Sequence, residues 1–187
     1  AELKEAFLGI PAFAATFAIL IWLWYHNFIF HRRYGLEDWS TIALTAVQLF
    51  FILVYVYPLN FLFSGLFDAM MGRETAMNDM TYRDRSLIMI VYASGFAIIM
   101  LLSALQNWRG VRLGELLELD EKERFLSWMM IRGQLLSAAV GILSMLLLLT
   151  PWPIMSGMVY FLLGPVHFCN GYFSGRRFET LIDEEPS

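Results

Sequence analysis

The distribution of charged residues limits what this chain can fold into. Residues 6–31, 39–67, 86–108 and 133–175 contain no Asp, Glu, Lys or Arg. A helix that crosses a bilayer needs roughly 20 apolar residues. The sequence therefore predicts an all-α integral membrane protein, a bundle of about five transmembrane helices. The predicted spans are residues 7–31, 40–66, 86–108, 129–150 and 154–174.

The composition excludes several other classes of protein. Only 16% of the 187 residues are charged, whereas soluble domains have about a quarter. The net charge of −4 and the absence of a basic stripe argue against nucleic acid as a partner. The single cysteine, Cys169, lies in the fifth predicted span. We find no dinucleotide, phosphate-loop, zinc or hydrolytic motif, so we predict neither an enzyme nor a cofactor.

The positions of Lys and Arg predict the orientation, because cytoplasmic loops carry the excess of these residues. On the side of Ala1 lie Lys4, Arg73, Arg83 and Arg85. On the opposite side lie Arg32, Arg33, Arg109, Arg112, Lys122, Arg124, Arg132, Arg176 and Arg177. This predicts a multi-pass protein of the bacterial inner membrane with Ala1 outside. An outside N-terminus with no visible signal peptide leads us to expect a further helix before Ala1.

The connections complete the predicted domain organisation. Residues 1–175 form one transmembrane domain, and residues 176–187 form a short cytoplasmic tail. The third connection carries apolar side chains among alternating charges, which predicts a short amphipathic helix over residues 111–125, lying in the interface. Pro58 and Pro165 predict kinks in the second and fifth spans.

Several polar and aromatic side chains lie inside the predicted spans. They indicate either an aromatic belt at the interface with satisfied polar groups, or an interhelical hydrogen-bond network. Histidines on two helices at similar depth could also ligate a haem; we consider this for His26 and His167 but find a structural explanation for each. The candidates for the network are Trp22, Trp24, His26, Asn27, Gln48, Asn60, His167 and Asn170.

Small residues recur at helical spacing in the last two spans. Such rows let helices approach closely, within one chain or between subunits. Residues of this kind recur every four positions in the fourth span, at Gly133, Ser137 and Gly141, and every seven in the fifth, at Gly157, Gly164 and Gly171.

A Trp-rich helix with a histidine before a basic turn, followed by an aspartate and a long apolar helix that ends in Tyr-Pro, resembles a known family. The matching text is PAFAATFAILIWLWYHNFIFHRRYGLEDWSTIALTAVQLFFILVYVYPLNFLF, residues 11–63. It is similar to the second and third helices of the bacterial relatives of transmembrane protein 175, a potassium-channel family. The rest of the chain lies where the family's fourth to sixth helices would be.

The resemblance implies several subunits around a central pore with a hydrophobic constriction. It also implies a first, pore-lining helix with a Phe-Ser-Asp or Phe-Thr-Asp motif, which residues 1–187 do not contain. A second departure is His26-Asn27, where the family often has adjacent histidines. If the family's polar network tethers the first helix, His26 is the matching residue, together with Trp22 or Trp24.

Two functions are compatible with these features. The first is a subunit of a monovalent-cation channel, with potassium as the ion and the pore-lining helix outside this chain. The alternative is a non-conducting accessory subunit that docks on a larger membrane complex. Both predict partners in the lipid bilayer, either further copies of the chain or another membrane protein.

Overall fold

The computed structural model describes residues 2–73, 79–113, 120–150 and 154–183, without the side chains of residues 2–6, 154 and 177–183. The described residues form helices joined by short turns, with no strand among them, which confirms the predicted fold class. The helices are α1 (Glu2–Tyr34), α2 (Trp39–Met70), α3 (Tyr82–Arg112), α4 (Glu121–Leu147), α5 (Ile154–Met158) and α6 (Leu163–Asp183), with a 3-10 turn at Val159–Leu162.

Four helices, α1 to α4, are long and apolar enough to cross a membrane, among the residues described. α1 to α3 cover the first three predicted spans and extend past them. α4 begins eight residues before the fourth predicted span, 129–150, and ends three residues before its end, at Leu147. The helix α2 continues through Pro58, one of the two predicted kink positions.

Local sequence signals set where these helices begin and end. Gly35 takes a positive φ of 55° directly after α1, a conformation that glycine adopts at no steric cost. Asp38 then caps α2 by accepting a hydrogen bond from the backbone N–H of Ser40. Asp120 and Glu123 form a reciprocal capping box at the start of α4.

The fifth predicted span is not one regular helix. It is divided into α5, the 3-10 turn and α6. Pro165 explains where the helix changes, because its ring clashes with the carbonyl four residues earlier, at Phe161 in the 3-10 turn. In the first turn of α6, by contrast, the missing N–H of Pro165 has no consequence.

Two other predicted boundaries fall within helices. The ends of the predicted interfacial helix, residues 111–112 and 121–125, belong to α3 and α4, while residues 114–119 lie outside the described residues. The predicted tail begins at residue 176, but α6 continues to Asp183.

The helices pack in sequence order around α3, which contacts α1, α2 and α4. The buried apolar core lies between α1 to α4 and contains Leu23, Ile52, Tyr55, Leu59, Ile99, Met100 and Ala138. Large apolar side chains cover the outer surface, as expected for helices that face lipid. Because α6 packs on α4 and α1 packs mainly on α2, α1 and α6 form the two walls of a cleft.

Candidate functional site

A chain of amide hydrogen bonds crosses the buried interior. The side-chain NH₂ of Asn27 donates to Oε1 of Gln48 at 3.0 Å. The NH₂ of Gln48 donates in turn to the hydroxyl of Ser103 at 2.6 Å. Gln48 is only 1% exposed, so in lipid its amide depends on these partners. The chain joins α1, α2 and α3.

A second amide extends this chain to α4. The NH₂ of Asn107 donates to the backbone carbonyl of Ser103 at 3.0 Å and to Oε1 of Gln134 at 3.3 Å. Both amide residues are buried. One polar layer therefore connects four consecutive helices; we call it the amide layer and define it as Asn27, Gln48, Ser103, Asn107 and Gln134.

An ion pair joins the start of α2 to the end of α3, at the end of the bundle nearest the amide layer. Arg109 donates to the carboxylate of Asp38 and, at 2.9 Å, to the hydroxyl of Thr41. The hydroxyl of Thr41 donates to Asp38 at 2.6 Å. The Thr41 hydrogen bond and the Arg109 guanidinium together lower the pKa of Asp38 below its usual value.

Close helix approach at this end depends on a glycine. A Cβ on Gly110 would lie 2.7 Å from three ring atoms of Tyr34. The ring is buried, and its hydroxyl donates to Ser127 at 2.6 Å. Gly110 thus lets α1 approach α3 closely enough for Tyr34 to reach α4.

A different set of polar side chains lines the cleft between α1 and α6. The cleft contains a cavity of about 210 Å³, whose floor is formed by α3 and α4. His26 lines it from α1, and His167 and Asn170 line it from α6. The structure thus places both predicted histidines on one cavity.

Each cleft histidine has one ring nitrogen in a hydrogen bond. The Nδ1–H of His26 donates to the backbone carbonyl of Trp22 at 2.9 Å. The hydroxyl of Ser137 donates to the carbonyl of Gly133, so Nε2 of His167 is the donor in its 2.8 Å bond to Ser137. The other nitrogen of each ring, Nε2 of His26 and Nδ1 of His167, can still accept a hydrogen bond.

Only one of the two polar groups in the Asn170 side chain has a hydrogen-bond partner. Its NH₂ donates to the backbone carbonyl of Met129 at 3.3 Å. Its carbonyl oxygen, Oδ1, is buried and has no hydrogen-bond partner. A buried amide oxygen without a partner is costly, on the order of 1–3 kcal/mol. The wall of the cleft therefore contains a buried acceptor that lacks a donor.

The predicted small-residue rows have different surroundings. A Cβ on Gly133 would meet Asn170 and His167 at 3.4 Å, and one on Gly141 would lie 3.2 Å from the backbone of Ala93. The fourth-span row therefore packs on α6 at one end and on α3 at the other. In the fifth-span row, Gly164 and Gly171 face open space, and a Cβ on Gly157 would meet Met89 at an ordinary 3.7 Å.

Two predicted site residues lie away from both clusters. Trp24 is 56% exposed and stacks on Phe28 on the outer face of α1. Asn60, half-buried, lies twelve residues beyond Gln48 on α2, a distance of about 18 Å along the helix axis.

Sequence reasoning missed three members of the amide layer, namely Ser103, Asn107 and Gln134. The signal was present, since Ser103 and Asn107 are one helical turn apart in a charge-free span. Within the described part of the chain, no three His, Cys, Asp or Glu side chains come together as metal ligands.

Comparison with known proteins identifies the relatives of this helical bundle. No family model matches the sequence. A protein of Marivirga tractuosa named a potassium channel is 32% identical over 98% of this chain and 79% of its own length. A crystal structure of the potassium channel MtTMEM175, a variant in complex with a Nanobody-MBP fusion protein, superimposes with a TM-score of 0.81 at 33% identity. That match covers 94% of this chain and 81% of the channel chain.

The sequence comparison and the structure comparison thus both identify the family that residues 11–63 resemble. The chain belongs to the bacterial potassium-channel family related to transmembrane protein 175.

Proposed function

We propose that this chain is a subunit of a channel that conducts potassium across the bacterial inner membrane. Its pore-lining helix lies outside residues 1–187 and packs in the cleft between α1 and α6. The observation that carries this proposal is the cleft itself, a groove between two flanking helices with a half-satisfied polar wall.

The chemistry of the cleft suits a helix that carries a hydroxyl and a carboxylate. The hydroxyl of a Phe-(Ser/Thr)-Asp motif would donate to Oδ1 of Asn170, which has no partner. The motif's aspartate would accept from His26 when that imidazole is protonated or has turned its N–H into the cleft. Trp22, which is 44% exposed, would be covered by the added helix.

The similarity to proteins named potassium channels supports the choice of ion. The charge distribution supports a cytoplasmic C-terminus, with the excess of Lys and Arg on that side. Further copies of the chain would complete the pore, since the family resemblance implies several subunits around a central pore.

The test is potassium flux into liposomes that contain a chain extended by the pore-lining helix. We expect flux, and we expect His26→Ala to reduce it about tenfold if that side chain contributes about 1.4 kcal/mol to holding the helix. The matched control is His31→Gln, because His31 bonds Thr45 outside the cleft. An extended chain that assembles into an oligomer but gives no flux would refute the proposal.

A non-conducting accessory role is the second candidate. It is favoured by large apolar side chains on the outer surface, including Tyr57 and Phe161, each more than 80% exposed. This role predicts that a second membrane protein co-purifies in stoichiometric amount. Purification of a homo-oligomer alone would exclude it.

A further inference from the structure

A second groove opens at the opposite end of the bundle, where α2 ends and α3 begins. It has a volume of about 310 Å³ and lies between α2, α3, the end of α4 and α5. Its walls are almost entirely apolar. The lining includes Phe61, Leu62, Met80, Ile88, Met89 and Leu148.

The sequence pattern predicts that one end of the groove lies at the level of the lipid headgroups. Arg85 is the last charged residue before the charge-free stretch 86–108 and lines the groove together with Tyr82. Arginine and tyrosine at the end of a membrane-spanning helix typically mark this interface. One end of the groove is therefore cationic and near water, and the rest is apolar and inside the membrane.

We propose that this groove binds a membrane phospholipid, with one acyl chain between α2, α3 and α5 and the phosphate on Arg85. Charge complementarity selects this occupant, since a guanidinium forms paired hydrogen bonds with phosphate oxygens.

Gly157 keeps the apolar part of the groove open. A Cβ at this position would meet only the methyl group of Met89, at 3.7 Å. A larger side chain at Gly157 therefore fits the backbone but extends into the groove. This permits a variant that fills the binding site without forcing α5 away from α3.

The experiment is native mass spectrometry of the delipidated protein titrated with dioleoylphosphatidylglycerol, dioleoylphosphatidylcholine or dioleoylglycerol. We expect both phospholipids to bind at least tenfold more tightly than dioleoylglycerol, which lacks the phosphate. Arg85→Gln should bring phospholipid binding down to the level of dioleoylglycerol. Gly157→Leu should weaken the binding of all three about tenfold.

Two variants serve as matched controls, and both should bind as the wild type does. Arg83→Gln removes a neighbouring cation that does not line the groove, and Gly175→Leu adds the same side chain on α6 in open space. The melting temperature in detergent identifies any variant that has not folded. The proposal is overturned if folded Arg85→Gln and Gly157→Leu bind phospholipid as tightly as the wild type, or if dioleoylglycerol binds equally well. Because the readout is binding, the result is independent of whether the protein conducts potassium.

Discussion

The two ends of the bundle are held together by different interactions. At the basic end, near Arg33 and Arg109, the helices are joined by the amide layer, the Asp38–Arg109 ion pair and the Tyr34–Ser127 hydrogen bond. Beyond the amide layer, in the half of the bundle that we call the aromatic end, Tyr55, Tyr92 and Tyr160 pack in a row. Their ring centroids lie 5.4 Å and 5.1 Å apart.

The aromatic end borders more open space than the amide layer does. A cavity of about 380 Å³, part of the cleft between α1 and α6, lies beside the three tyrosines, whereas the cavity beside Ser103 and Gln134 has about 210 Å³. At the aromatic end the Ser144 hydroxyl donates to the carbonyl of Ser156 at 2.9 Å. The tyrosines themselves pack mainly through their rings, and ring contacts fix distance and direction less closely than hydrogen bonds do. The difference indicates that the basic end specifies the relative positions of the helices and that the aromatic end can adjust.

The strongest test of this contrast is Gly110→Ala at the basic end. The new Cβ would displace the buried ring of Tyr34 and break its hydrogen bond to Ser127. We expect a loss of about 3 kcal/mol in the free energy of unfolding, measured by denaturation in mixed detergent micelles. Gly171→Ala, which meets open space, is the control and should cost nothing. A loss below about 1 kcal/mol would show that Tyr34 has room to move.

The amide layer gives the next largest effect. Gln48→Leu removes two interhelical hydrogen bonds and leaves the amide of Asn27 without its partner. We expect a loss of about 2 kcal/mol in the free energy of unfolding. Asn27→Leu combined with Gln48→Leu should cost less than the sum of the single variants, because their mutual hydrogen bond is lost only once. Additive losses would contradict the direct bond between the two amides.

Some features of the two ends can be predicted from the sequence and others cannot. Helix positions can be predicted, whereas the hydrogen-bond partners between helices cannot. Charge-free stretches predict where helices lie, because the bilayer imposes their length. The depth of Gln48 in its span indicates that it needs a partner. It does not indicate which one, since Ser103 is 55 residues away and the choice depends on how α2 rotates against α3. The cleft histidines illustrate the same point, as spacing along the chain carries no information about α1 relative to α6.

The third prediction concerns Gly95, the counterpart of Gly110 on the same helix. A Cβ on Gly95 would lie 2.8 Å from the ring of Tyr55, but that ring borders the 380 Å³ cavity and can move into it. Gly95→Ala should therefore change the free energy of unfolding by less than about 1 kcal/mol, since alanine also favours the helix. A loss as large as that of Gly110→Ala would show that the aromatic end is as rigid as the basic end.

The smallest effect concerns the Asp38–Arg109 pair, which is accessible to water. Because its pKa is lowered in the folded protein, Asp38 adds stability at every pH above its unfolded pKa of about 3.9. That contribution is lost as the pH falls through the lower, folded-state pKa. Asp38→Asn retains an N-cap acceptor but removes the charge, so its unfolding midpoint should change less than that of the wild type between pH 5 and pH 2. Parallel pH profiles of the two proteins would mean that Arg109 holds the basic end through Thr41 alone.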